Sequence, residues 1–137
     1  MPRNTRTGAV LEGMVLPSLH HGGYQTRSQV NIGSRPAGRR HFVDVIAEKD
    51  AQRILVSLKY QDSGGTAEEK VPYELICMIH AVRNYGYDKA YIVLGGIGWT
   101  LRDWFVGDGL RDYIAYRGVV EIVTLEQFVA IANKGRL

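Results

Sequence analysis

Three residues of the chain combine types and a spacing that could do chemistry: Asp44, Ser57 and Lys59. The residues around them alternate between apolar and polar types on either side of a short polar turn, which predicts a β-hairpin. If the turn is centred on Asp50 and Ala51, Asp44 faces Ser57, and Lys59 lies diagonally from Asp44 at roughly 7–8 Å in backbone terms. The hairpin therefore gathers a carboxylate, a hydroxyl and an ammonium group on one face.

A carboxylate beside a lysine suits hydrolysis assisted by a hard metal ion. The Asp44 carboxylate could bind Mg²⁺, which takes oxygen ligands and keeps several waters, and the backbone carbonyl of Leu58 could provide another ligand. Lys59 could orient or help to deprotonate an attacking water and offset the charge of a phosphate. A half-buried hairpin with a solvated outer face also alternates polar and apolar residues. Taken alone, the pattern favours that structural interpretation.

The hairpin strands are predicted at 41–48 and 52–61, and a four-residue loop at 49–52 would give the same register. The polar face continues from Lys59 to Gln61. The opposite face is apolar, so we expect it to contribute to the core. Its residues are Val43, Val45, Ala47, Ile54, Val56, Leu58 and Tyr60.

The elements that must position this hairpin form an α/β pattern. Apolar residues at helical spacing predict a first helix at about 8–16, ended by Pro17. We expect one α/β domain, with a mixed sheet flanked by helices. The other predicted elements are a strand at 24–32, a helix from about 67 to Gly86 opened by a capping box at Thr66–Glu69, a buried strand at 89–94, an interrupted helix at 100–116, a strand at 119–123 and a last helix opened by a capping box at Thr124–Gln127.

The composition is that of one globular domain. The chain has 137 residues, of which 45% are apolar and 23% are charged, enough for a real core. The single Cys77 cannot close an intrachain disulfide and suits a reducing compartment. No apolar run approaches the length of a membrane span. We therefore expect a cytoplasmic protein with no membrane partner, with a flexible basic tail at 1–7 and one domain at 8–137.

Charge is distributed unevenly along the chain. The net charge is +3, but residues 1–43 contain six arginines and one acid, which gives +5, and the remainder is negative. A basic half beside a locally acidic site favours a polyanionic partner, because arginines pair with phosphates. A solvated basic N-terminus explains the same charge, and charge alone does not separate the two interpretations. The candidate nucleic-acid contacts are Arg27, Arg35, Arg39 and Arg40.

The segment from Asp44 to the tripeptide Ser57-Leu58-Lys59 resembles the PD-(D/E)xK nuclease superfamily. That resemblance implies a restriction endonuclease-like αβββαβ core, which fits the predicted order of elements over residues 8–95. It also implies hydrolysis of DNA phosphodiester bonds with Mg²⁺, for which Mn²⁺ is an expected substitute. By resemblance, Asp44 and the Leu58 carbonyl bind the metal and Lys59 activates water, while Gln61 positions the reacting groups and Glu12 on the first helix is an outer acid.

The sequence departs from the superfamily pattern in two places. Val43 stands where a proline often precedes the aspartate. The second acid of the motif is replaced by Ser57, and a hydroxyl is a poor Mg²⁺ ligand beside a carboxylate. Some restriction-enzyme branches with SxK recruit a glutamate from the following helix. Glu74, fifteen residues beyond Lys59, is near that spacing, and Glu69 is the second choice.

The resemblance leads us to expect a restriction-like or homing-like endonuclease that acts on double-stranded or branched DNA. Because 137 residues leave little surface for target recognition, we expect a homodimer or homotetramer with two sites for two strands. A Holliday-junction-type resolvase of the same fold is the alternative. From another class, a DNA-binding module could have lost catalysis at Ser57. The Gly95–Gly98 turn also weakly suggests a phosphate-ligand protein.

Overall fold

The computed structural model describes residues 5–137. Its centre is a five-stranded mixed sheet with the strands in sequence order. The first three strands pair antiparallel as two hairpins, and the last two join in parallel. The strands are β1 (Gln25–Ser34), β2 (Arg40–Lys49), β3 (Gln52–Tyr60), β4 (Lys89–Gly95) and β5 (Val120–Thr124). The mixed α/β class expected from the sequence is confirmed.

The helices cover both faces of this sheet. They are α1 (Thr5–Val10), α2 (Leu16–His21), α3 (Ala67–Tyr85), α4 (Arg102–Val106) and α5 (Leu125–Asn133), with a π-helical turn at Leu11–Val15 and a 3₁₀ turn at Gly109–Asp112. None of the helices described in residues 5–137 has the length and apolar composition that a membrane span requires.

Two apolar cores lie on opposite faces of the sheet. Helix α3 and the segment after β4 pack on one face, where Leu75 and Phe105 are buried with Ile46 and Leu55 of the hairpin. The first helical segment and α5 pack on the other face. The polar face of the hairpin, which carries Ser57 and Lys59, is therefore covered by α3 instead of being solvated.

The predicted hairpin register is confirmed over residues 45–49, where pairing ends at Val45 and Val56, one residue short of the expected pair of Asp44 and Ser57. Ile46 pairs with Leu55 and Glu48 with Arg53, and the turn residues Asp50 and Ala51 have φ values of 52° and 67°. Such left-handed conformations at both central positions are typical of a tight hairpin turn.

One predicted core residue of the hairpin lies on the other face. Val43 was expected on the same face as Val45, but Val43 belongs to the core under α3 and Val45 to the opposite core. The strict alternation of β2 is therefore broken at Asp44. An interruption of this kind re-aims a side chain relative to the sheet.

The first helical segment is longer than the sequence pattern predicts. It begins at Thr5, and Pro17 lies in the first turn of α2 instead of ending the helix. The π-helical turn just before it, in which the Leu16 amide donates to the Leu11 carbonyl, widens the backbone where the proline ring would otherwise clash. The predicted tail at 1–7 falls partly on residues 1–4, outside the described residues, while 5–7 are helical.

The capping box predicted for α3 is wrong, whereas that of α5 is confirmed. Thr66 makes no side-chain capping bond, and the Ala67 amide donates instead to the side-chain oxygen of Gln61 at 3.1 Å. Thr124 and Gln127 form the complete reciprocal box at α5. The predicted interruption of the helix at 100–116 is confirmed, because Gly107 and Gly109 divide it into α4 and the short 3₁₀ turn.

Candidate active site

The site is built where α3 crosses the polar face of the hairpin. Glu74 of α3 is only 6% exposed. Its Oε2 accepts hydrogen bonds from Ser57 Oγ and Lys59 Nζ, both at 2.8 Å. Its other oxygen, Oε1, lies 3.4 Å from Nη1 of Arg35. Helix packing thus brings a carboxylate against Ser57, where the sequence lacks the second acid of the superfamily motif.

The surroundings of Glu74 hold it in the ionised form. Burial alone would raise its pKa, but the charge and hydrogen bond of Lys59, the Ser57 hydrogen bond and the charge of Arg35 outweigh burial and lower the pKa to about 2. A fixed negative charge lies beneath α3 at neutral pH.

Asp44 is oriented by bonds from two strands. Its Oδ2 accepts from the backbone amide of Leu58 at 2.7 Å, and its Oδ1 accepts from Gln29 Nε2 at 3.3 Å. Burial raises the pKa of Asp44, opposed in part by the Leu58 bond and the charge of Lys59, while the charge of Glu74 raises it further. Since Lys59 acts on both carboxylates, its ammonium group lies within electrostatic range of each of them.

Gln29 takes part in the site through an unusual backbone conformation. Its φ is 53°, in the left-handed region that residues other than glycine rarely adopt. This conformation lies beside the Asp44 position on β2, and the Gln29 amide reaches that carboxylate. Nothing in the sequence pattern singled out Gln29, because a positive φ at a glutamine leaves no local signal.

His41 is a second residue that sequence reasoning missed. It is 1% exposed, and its Nε2 lies 3.8 Å from Glu74 Oε1. Burial, followed by the charge of Arg35, lowers the pKa of His41 to about 4, so the ring is neutral at pH 7. Its Nδ1 has no hydrogen-bond partner in the described part of the chain. The sequence pattern did not reveal His41, because strict alternation placed the neighbouring Val43 on the face opposite the site, whereas Val43 lies in the core under α3.

The oxygen atoms at this site are those that a hard cation uses. Across residues 5–137 no group of three or more His, Cys, Asp or Glu side chains is arranged to hold a metal. Mg²⁺ needs only one or two carboxylates, because waters and substrate phosphates complete its octahedron. Asp44 and Glu74, with the Leu58 carbonyl, fit that requirement in chemical type.

Gln61 connects the end of β3 to the start of α3 and to the turn after β4. Its Nε2 donates to the Gly98 carbonyl at 2.7 Å, and its Oε1 caps α3 through the Ala67 amide. A Cβ at Gly96 would collide with the Gln61 backbone, and one at Gly98 with that of Ser63. This close approach accounts for the glycines of the turn after β4.

Replacing Gln61 with leucine is expected to lower the free energy of unfolding by about 2 kcal/mol, because two partly buried backbone groups lose their partner. Urea denaturation measures this change. Gln52→Leu, at an exposed hairpin position, is the matched control. A Gln61→Leu protein as stable as the control would show that the amide does not hold these loops.

The other predicted acids lie elsewhere on the molecule. Glu12 is an exposed residue of the π-helical turn, in the segment that packs on the sheet face opposite α3. Glu69 is exposed in the first turn of α3. Of the candidate acids on α3, Glu74 is the one that the structure brings to Ser57 and Lys59.

The four candidate DNA-binding arginines take different positions. Arg35 reaches Glu74 and is part of the site. Arg39 and Arg40 are exposed residues after it, and Arg40 lies 5.7 Å from the ring centre of Phe42. Arg27 is 3.6 Å from Glu48 on β2. The β1–β2 connection and the first residue of β2 thus carry three of the four arginines, and of these Arg35 contacts Glu74.

A mixed αβββαβ sheet with a strand aspartate, a strand lysine and a buried helix glutamate is the arrangement of a restriction endonuclease-like nuclease domain. The family model of the PD-(D/E)XK nuclease superfamily domain matches residues 3–136. The chain belongs to this superfamily, which confirms the resemblance found in the sequence. A comparison with curated proteins gives no match.

One solved structure supports the fold, and a second is reported for its similarity alone. A crystal structure of a protein of unknown function is similar with a TM-score of 0.52 at 15% identity, covering 80% of this chain and 54% of the other. A repair endonuclease from Pyrococcus abyssi is similar with a TM-score of 0.42 at 15% identity, covering 89% of this chain and 46% of the other. The chain therefore spans about half the length of these two structures.

Proposed function

We propose that the protein is a Mg²⁺-dependent DNA endonuclease in which a glutamate from α3 replaces the acid missing from the hairpin. The observation that carries this proposal is the 2.8 Å hydrogen bond from Ser57 to Glu74. It puts a buried, ionised carboxylate next to the position where the superfamily motif has its second acid. Lys59 contacts the same carboxylate oxygen, so acid and lysine keep their association although the acid comes from another element.

The roles of the residues follow from their chemistry. Asp44, Glu74 and the Leu58 carbonyl would hold the metal. When bound, Mg²⁺ supplies a Lewis acid that polarises a phosphoryl oxygen and favours the ionisation of water. Lys59 hydrogen bonds the attacking water and offsets negative charge on the phosphate. The new bond joins water oxygen to phosphorus, the bridging phosphorus–oxygen bond breaks, and the leaving oxygen takes up a proton.

Gln61 acts in this scheme as a positioning residue, since it ties the end of β3 to the start of α3. The superfamily resemblance alone supports Glu12, which is exposed on the first helical segment, as an outer acid. Arg27, Arg35, Arg39 and Arg40 would contact the DNA backbone. Mn²⁺ would substitute for Mg²⁺, because it accepts the same oxygen ligands.

A restriction-like or homing-like enzyme remains the first choice, and a junction resolvase is the alternative on the same scaffold. A homodimer or homotetramer would supply two sites for two strands. The buried free thiol of Cys77 fits a reducing compartment such as the cytoplasm.

The test is cleavage of supercoiled plasmid with Mg²⁺ and with EDTA. We expect nicked or linear product only with the metal, and a loss of about 1,000-fold or more in Asp44→Asn, because metal stabilisation of the transition state is worth several kcal/mol. Asp112→Asn, at an exposed position in the 3₁₀ turn, is the control. Binding without cleavage of any plasmid, duplex or branched DNA would favour the DNA-binding module that has lost catalysis.

A further inference from the structure

Next to Glu74 lies a small cavity that the roles above do not use fully. It has a volume of about 150 Å³ and is lined by Arg35, Lys59, Lys70, Tyr73 and Glu74. Three of these side chains are cationic and one is a carboxylate, so the lining carries two net positive charges. We propose that this cavity seats the phosphate group that is cut, with Arg35 and Lys70 as its clamps. The inference rests on the proposed nuclease function and adds the residues that recognise the substrate.

Lys70 is a cation available for a ligand. Within residues 5–137 it has no ion-pair partner, whereas Lys59 and Arg35 both contact Glu74. Lys70, Tyr73 and Glu74 recur at helical spacing on one face of α3, which places them side by side. Because the Lys70 ammonium group forms no ion pair with a carboxylate among the residues that the structure describes, it is suited to bind an anionic group of a ligand.

Arg35 has N–H donors that do not contact Glu74. Its Nη1 lies 3.4 Å from Glu74 Oε1, but a guanidinium carries five N–H donors in a fixed plane. That geometry matches the two free oxygens of a phosphodiester. Arg35 can therefore contact Glu74 and a phosphate at the same time.

The backbone around Arg35 is fixed before any ligand arrives. The hydroxyl of Tyr85 on α3 donates to the Ser34 carbonyl at 3.1 Å and accepts from the Ser34 amide at 3.0 Å. The Arg35 amide donates to the Arg39 carbonyl at 2.7 Å, and the Gly38 amide donates to the Arg35 carbonyl at 2.8 Å. Because the turn is held to α3, little ordering is needed when the guanidinium binds a phosphate.

The cavity lies next to the candidate active site. Its three cationic side chains outnumber its one carboxylate. The cavity shares Lys59 and Glu74 with the candidate active site, so a phosphate in it would lie beside the residues assigned to the metal and the water. The position in the molecule therefore favours a substrate phosphodiester.

The experiment measures binding without cleavage. Affinity for a fluorescently labelled DNA duplex is measured by anisotropy in EDTA over a series of salt concentrations. Arg35→Gln and Lys70→Gln are each expected to weaken binding about tenfold, the scale of one charge-assisted hydrogen bond. Each is also expected to reduce the slope of log K against log salt concentration by about 0.9, as one phosphate contact is lost.

Two matched controls remove a positive charge elsewhere. Arg117→Gln and Lys134→Gln change exposed residues outside the cavity and should weaken binding less than twofold. Lys70 is exposed, so Lys70→Gln should keep the wild-type thermal unfolding midpoint even if Arg35→Gln is less stable. Equal losses in cavity and control variants would overturn the proposal.

A second measurement separates a substrate phosphate from free phosphate. Inorganic phosphate should raise the thermal midpoint of the wild type and not of Lys70→Gln. If it does so while neither cavity variant weakens duplex binding, the cavity is a free-phosphate site and the proposal fails. If DNA binding depends on Arg35 and Lys70 but no plasmid is cut, the phosphate site is supported and the proposed nuclease function is wrong. If the protein cuts plasmid and the cavity variants bind DNA as the wild type does, the nuclease function is supported and the phosphate site is wrong.

Discussion

Replacing Glu74 with glutamine is expected to lower Mg²⁺-dependent plasmid cleavage by about 1,000-fold or more. The substitution keeps the size of the side chain and removes the charge that Ser57 and Lys59 contact. Without it, Asp44 is left as the one carboxylate assigned to the metal, and several kcal/mol of transition-state stabilisation are lost. The rate of conversion from supercoiled to nicked plasmid measures the effect.

The hydrogen bond between Ser57 and Glu74 allows a rescue. A carboxylate introduced by Ser57→Asp would occupy nearly the same place, since the two oxygen atoms are 2.8 Å apart. In the single variant the two like charges would repel each other. The double variant Ser57→Asp with Glu74→Gln restores the superfamily pattern and is expected to recover at least tenfold of the lost rate, a coupling of about 1.4 kcal/mol.

The control for Glu74 lies on the same helix. Glu69→Gln removes a charge from an exposed position one turn earlier and should cut plasmid at the wild-type rate. If Glu69→Gln abolishes cleavage and Glu74→Gln does not, the acid that completes the site comes from the first turn of α3, and the assignment of Glu74 is wrong.

Lys59→Met is expected to lower cleavage by about 100-fold to 10,000-fold, the range for a residue that assists proton transfer or charge development in the transition state. Methionine keeps much of the apolar stem and removes the ammonium group. The fold should persist, because Ser57 and Arg35 still contact the Glu74 carboxylate. Single-turnover cleavage measures the chemical step.

Two further variants test whether the ammonium group of Lys59 is what the reaction needs. Lys59→Arg keeps the charge but not the compact ammonium geometry, so we expect a rate between those of the wild type and Lys59→Met. Lys134→Met, at an exposed position of the C-terminal segment, should leave the rate unchanged. A Lys59→Met protein within twofold of the wild type would remove Lys59 from the mechanism.

Local patterns predicted the central part of this fold. Alternation of residue types and a two-residue turn were enough to set the register of the β2–β3 hairpin, because strand pairing across a tight turn is a short-range property. The order of elements around it indicated the superfamily. Both predictions were confirmed.

Local patterns failed where a distant element replaced a local partner. Thr66 and Glu69 have the spacing of a capping box, but Gln61 from the end of β3 caps the helix. Pro17 predicts a helix end, but a π-helical turn before it lets the segment continue. In both cases the alternative partner or backbone geometry depends on packing that residue spacing does not report.

The sequence by itself determined that Asp44, Ser57 and Lys59 share one hairpin and that an acid was missing at Ser57. It left Glu74 and Glu69 as candidates to supply that acid. Only the tertiary structure decided which of them reaches Ser57, and that Arg35 approaches the same carboxylate from the β1–β2 connection. These contacts join residues 17 and 39 positions apart in the chain. They depend on how α3 packs across the sheet, because side chains so distant in sequence meet only after the apolar core has fixed the helix in place.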